Sequence, residues 1–115
     1  MNTLERLELA LSRVKRGWTQ YAFARDAHQE IVSPYSTRAT CWCAAGALVV
    51  DRDELDTLEG ELFLERVKAE VLKDRPGYKY LSEINDNPEC TKDEIVAMFE
   101  KTLARLKKEQ SSDQA

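Results

Sequence analysis

Two apolar stripes at helical spacing bracket this chain, and they constrain its fold more than any other feature. Near the start, Leu4, Leu7, Leu11 and Val14 recur at steps of three and four, which puts them on one face of a helix. Near the end, Ile95, Met98, Phe99, Thr102, Leu103 and Leu106 do the same. The first stripe predicts a helix from about residue 3 to 16, with Thr3 as its N-cap and Gly17 as its stop after Lys15 and Arg16. The second starts at Thr91-Lys92-Asp93-Glu94, a capping box with its hydroxyl at the N-cap and its Glu three residues on.

Between the stripes the pattern changes. Trp18 to Val32 is rich in aromatic and β-branched residues, with Tyr21, Phe23 and Arg25 at alternate positions. Asp26-Ala27-His28-Gln29 is a polar break, and Glu30-Ile31-Val32 returns antiparallel, so a hairpin is predicted here. Ser36 or Thr37 then caps a buried helix through Ala39, Trp42, Cys43, Gly46, Ala47 and Val50. Residues 51–61 read as an acidic linker, a docking strip if any partner is basic. A helix carrying Gly60, Phe63, Leu64, Val67 and Val71 follows and ends at Arg75-Pro76-Gly77. Tyr80, Leu81 and Ile84 suggest one short helical turn before the turn at Asn85-Asp86-Asn87-Pro88.

The fold expected is therefore α+β, mainly α: about four helices with one small β-hairpin after the first. At 115 residues the chain suits a single domain, taken as 1–109, with a fraying polar tail at 110–115. A net charge of −4 does not fit general nucleic-acid binding. Ala44 to Val50 is the longest apolar run, far below the roughly 20 residues of a membrane span. No apolar signal core follows Met1, and three cysteines make an odd number, so a cytoplasmic protein with reduced thiols is expected.

Two sets of residues carry a family resemblance. Trp18-Thr19-Gln20-Tyr21-Ala22-Phe23-Ala24-Arg25-Asp26, with Trp42-Cys43-Ala44-Ala45-Gly46-Ala47-Leu48, forms the first; Asn85-Asp86-Asn87-Pro88, with Thr91 to Val96, forms the second. Together they resemble the DUF6197-like family of small bacterial and phage-associated proteins, over roughly residues 4 to 106. The resemblance implies an architecture and no assigned activity. The family pattern carries a glycine near the hairpin break and a tryptophan before the Asn-Asp pair. This chain has no glycine at the break, and Ile84 stands before Asn85.

Few residues suggest chemistry. Cys41, Cys43, Cys90 and His28 invite a zinc site. On the predicted helix, however, residues two apart diverge by about 200°, so Cys41 and Cys43 would not share a metal. Cys43 then reads as a small buried hydrophobe. His28, the one histidine, lies on a turn and away from any nucleophile signature. No metal, cofactor or catalytic residue is expected. Arg25 and Asp26 either brace the hairpin or offer a guanidinium to an anion, with Trp18 near enough to stack. Asn85 and Asp86 either satisfy nearby backbone or form a ligand site with the amides near Thr91. The expectation is a non-catalytic binding module for an unidentified protein or small anionic ligand, with Trp18, Arg25, Asp26, Asn85, Asp86 and Thr91 as its site. A phage or mobile-element accessory acting on a host defence component fits the resemblance. The alternative is a small enzyme or metal-binding domain using Cys43, Arg25 and Asp86.

Overall fold

The structure, a computed structural model, describes residues 1–114, with side chains to Gln110. In chain order it runs through α1 (Thr3–Arg16), β1 (Ala24–Arg25), β2 (Cys41–Trp42), a 3-10 turn (Gly46–Leu48), α2 (Asp53–Asp56), α3 (Leu58–Lys73), α4 (Leu81–Asn85) and α5 (Lys92–Gln114). The mainly helical fold with one small antiparallel pair after the first helix is the one expected. Of the tail at 110–115, only Gln110 has a described side chain, and the backbone is helical to Gln114.

α1 and α5 pack against each other along the two apolar stripes. Leu7, Ala10 and Val14 meet Ile95, Phe99 and Leu103 in the core, to which α3 adds Leu64, Val67 and Val71. α1 has the bounds its stripe suggests, but Asn2, not Thr3, is the N-cap. Its Oδ1 accepts the Glu5 amide at 2.8 Å, and Glu5 returns the bond to the Asn2 amide at 3.0 Å.

The middle of the chain departs most from expectation. Residues 39–50 are not a helix. Cys41–Trp42 is a strand that pairs antiparallel with Ala24–Arg25, in register Ala24 with Trp42 and Arg25 with Cys41. Trp42 also bonds the segment after α1 on its other side, giving its amide to the Gly17 carbonyl and accepting the Thr19 amide. The predicted return at Glu30–Val32 is present as a single bridge, Ile31 to Arg25. Residues 41–49 are buried on every side, so their apolar spacing has no exposed phase to distinguish helix from strand.

The acidic stretch at 51–61 is not a linker either. Asp51 Oδ1 accepts the Glu54 amide at the start of α2, and Thr57 Oγ1 accepts the Gly60 amide at the start of α3. Acids crowd the first turns, where the helix dipole favours them. Arg6, nearly buried, pairs with Glu54, donates to the Leu48 carbonyl at 2.9 Å and stacks on Phe63. That clamps the α2 corner to the core.

Candidate functional site

The segment after α1, the turn at Ala44 and the end of α4 meet at Asn85. The residue is 1% exposed, and its side chain accepts two hydrogen bonds and donates two. Oδ1 accepts the Trp18 indole N–H at 2.7 Å and the Ala44 amide at 2.9 Å. Nδ2 donates to the Thr19 carbonyl at 3.1 Å and to Asp86 Oδ1 at 2.9 Å. Asp86 Oδ1 also accepts the Tyr21 amide at 2.9 Å, and Gln20 Nε2 reaches the carbonyls of Asn85 and Asn87.

Of the residues singled out in the sequence, Trp18, Asn85 and Asp86 therefore come together directly. Arg25 joins them through Thr19: its Nε donates to Thr19 Oγ1 at 3.1 Å and its Nη1 to the Gln29 carbonyl at 3.1 Å. Asp26 lies on the turn, where Oδ1 accepts the His28 and Glu30 amides at 2.8 and 3.0 Å. The Glu30 amide, with that of His28, holds the Asp26 carboxyl below the ordinary carboxylate range. Thr91 stands outside this network and caps α5 by accepting the Glu94 amide at 3.2 Å, while Glu94 pairs with Arg75. All six have intramolecular partners, which tie down the hairpin, the α4 turn and the start of α5.

Two residues in this region take a left-handed backbone without being glycine: Tyr21 at φ 64° and Gln29 at φ 66°. Asp86 fixes the first through the Tyr21 amide. Gln29 occupies the hairpin break.

Cys41 lies on a strand, so the helical divergence expected to keep Cys41 and Cys43 apart is absent. Each thiol is nonetheless engaged on its own. Cys43 Sγ accepts the Gly46 amide at 3.2 Å, and Cys41 Sγ lies 3.7 Å from the Arg25 carbonyl. Burial pushes the Cys43 thiol up, the opposite of what a nucleophile needs. Among the described residues, no group of three His, Cys, Asp or Glu side chains is arranged to hold a metal ion.

The open surface lies elsewhere. A cleft of about 370 Å³ sits between the β1 segment, α3 and α4, lined by Phe23, Ala45, Ala69, Leu72, Tyr80 and Leu81, with Glu65, Lys68 and Lys79 also on its wall. Phe23 and Tyr80 are 56% and 60% exposed. The wall supplied by α3 continues beyond the cleft. At about 100° per residue, Leu58, Leu62, Glu65, Ala69 and Leu72 share one face, roughly opposite the core face of Leu64, Val67 and Val71. Leu58 is 70% and Leu62 53% exposed. Sequence reasoning missed this second stripe. Its spacing of four, three, four and three was legible, but Leu58, its first residue, falls in the stretch 51–61 that reads as an acidic linker.

The family profile matches residues 2–105, nearly the whole chain. The chain belongs to the DUF6197 family, a family of unknown function. No curated protein and no solved structure matches it. Among the described residues of this DUF6197 protein, no helix is long and apolar enough to cross a membrane.

Proposed function

We propose that this DUF6197 protein is a non-catalytic protein-binding module, and that its binding surface is the outer face of α3 with the adjoining cleft. The observation that carries the reading is the pair Leu58 and Leu62, exposed on the same helical face as Ala69 and Leu72, which leads into a cleft bearing Phe23 and Tyr80. Exposed apolar side chains gathered on one face in this way, interrupted by Glu65, mark an interaction surface more often than a solvated one. Exposed aromatics beside it match the anchors that dominate protein interfaces. The enzyme alternative has less support: Cys43, Arg25 and Asp86 do not share this cleft, and each is already bonded within the fold. In a phage or mobile-element setting, such a module acts by occupying the surface of a host defence protein.

Affinity capture with the wild type and with a Leu58→Ser/Leu62→Ser variant tests the reading. The wild type is expected to retain a partner that the variant loses at unchanged thermal stability. A partner held equally by both proteins counts against this surface.

Lys68 and Lys79 favour a second reading, a small anion with a flat apolar body held between the cleft aromatics. Lys68 is paired with Glu65 at 3.5 Å, while Lys79 has no ion pair among the described residues. Indole-3-acetate, titrated while the amide signals of Ala69 and Tyr80 are followed, separates this reading from the first.

A further inference from the structure

Resting on the protein-binding reading, we infer the chemistry of the partner: an amphipathic α-helix with basic flanks, laid along the outer face of α3. The face from Leu58 to Leu72, apolar except at Glu65, spans about 21 Å, the length of a four-turn helix. A helix face offers ridges and grooves for another helix, and the edge of the two-residue strands is too short to template an extended peptide.

Charge selects which helix. The exposed leucines lie among Asp53, Glu59 and Glu61, which make no ion pair among the described residues. Asp56 is already paired with Arg52 and Glu65 with Lys68, which leaves Arg66 as the unpaired cation of this half of α3. A partner with Lys or Arg beside its apolar stripe would meet these acids. A second copy of this chain would bring the same acids against them, which disfavours self-association through this face.

The surface is also held rigid. A Cβ on Gly60 would run into the Glu54 backbone, so α2 and α3 touch backbone to backbone there. Thr57 caps α3 while its hydroxyl donates to the Asp53 carbonyl at 2.8 Å, and Arg6 ties Glu54 to the core. The leucines are therefore displayed by a fixed corner, which lowers the ordering cost of binding.

Two designed peptides of about 18 residues test this, both helical with one Leu stripe, one flanked by Lys and the other by Glu. Each is titrated into the isotope-labelled full chain. The Lys peptide is expected to shift the amides of Leu58, Glu59, Glu61, Leu62 and Ala69, and to bind about tenfold or more tighter than the Glu peptide at low salt. That preference should collapse in about 0.5 M salt, and in a Glu59→Gln/Glu61→Gln variant. Leu62→Ser should weaken binding of the Lys peptide. Equal binding of both peptides to this face overturns the inferred charge and leaves the protein-binding reading standing. Shifts confined to other surfaces, or none with either peptide, overturn both. A dimer in sedimentation that Leu62→Ser abolishes makes a second copy the occupant and overturns the basic helix.

Discussion

Asn85 Oδ1 accepts the Trp18 indole N–H at 2.7 Å, joining the end of α4 to the segment after α1 across 67 residues of sequence. The same side chain holds the Ala44 amide and the Thr19 carbonyl, so three distant stretches share one joint. Asn85→Ala leaves these groups without their partner in a nearly dry site. Each buried unsatisfied group costs about 1–3 kcal/mol, so a total loss of about 3 kcal/mol or more is expected in urea unfolding. The Trp18 fluorescence should change with it. A loss below about 1 kcal/mol would mean that water replaces the amide freely.

Gln29 tests the hairpin turn. At φ 66° it sits where glycine is favoured, and its carbonyl accepts from Arg25. Gln29→Gly relieves the left-handed strain but adds freedom to the unfolded chain. The strain is the larger effect, so a gain of about 0.5 kcal/mol is expected from thermal melts. A clear loss of stability would show that the Gln29 side chain matters more than its backbone.

Gly46 is a contact point between the 3-10 turn and the β1 segment. A Cβ there would lie 2.1 Å from the Phe23 carbonyl oxygen, which accepts the Cys43 amide. Gly46→Ala must push the β1 segment away from the 3-10 turn. A cost of about 2 kcal/mol or more is expected, with altered amide signals at Phe23 and Cys43. An unchanged melting midpoint would mean that the turn slides without cost.

Much of this fold was legible because α1, α3 and α5 each expose one face and bury another, so their sequences carry a phase. The segment around Trp42 carries none. Its strand is made by partners far away in sequence, the Gly17 carbonyl on one side and the Phe23 and Arg25 carbonyls on the other. Only the meeting of those stretches, which Asn85 secures, decides against a helix. Trp18, Asn85 and Asp86 stand together, and Asn85 and Asp86 bond nearby backbone, one of the two roles weighed for them in the sequence. Leu58 and Leu62 escaped notice because the acids around them read as solvated chain, while Asp51 and Thr57 were in fact capping helices.

The thiols give a test of how closed the core is. Cys41, Cys43 and Cys90 are all buried and free. Burial, with the Glu94 carboxylate nearby, pushes the Cys90 thiol up to about 11. Ellman's reagent at pH 8 should therefore label the native protein far more slowly than the urea-unfolded one, in which thiols ionise near their usual pKa of about 8.5. The rate at Cys90 should keep rising with pH beyond that value. Fast native labelling of Cys43 would revive the alternative in which it is a reactive group.

The last prediction separates bracing from binding. Arg25 and Asp86 each hold backbone: Arg25 the Gln29 carbonyl, Asp86 the Tyr21 amide in its left-handed turn. Arg25→Ala and Asp86→Ala should therefore lower stability, by about 1–2 kcal/mol each for charged groups that hydrogen-bond the chain. Any loss of binding they cause should track the loss of folded protein. Phe23→Ser and Leu62→Ser remove exposed side chains, so both should melt within about 0.5 kcal/mol of the wild type. Their effect should appear in affinity instead, as faster dissociation of the captured partner. The opposite pattern, affinity lost through Arg25 or Asp86 at full stability while Phe23→Ser and Leu62→Ser bind normally, would return the site to the hairpin and the α4 turn. Equilibrium unfolding and dissociation rates, measured on the same four proteins, distinguish the two outcomes.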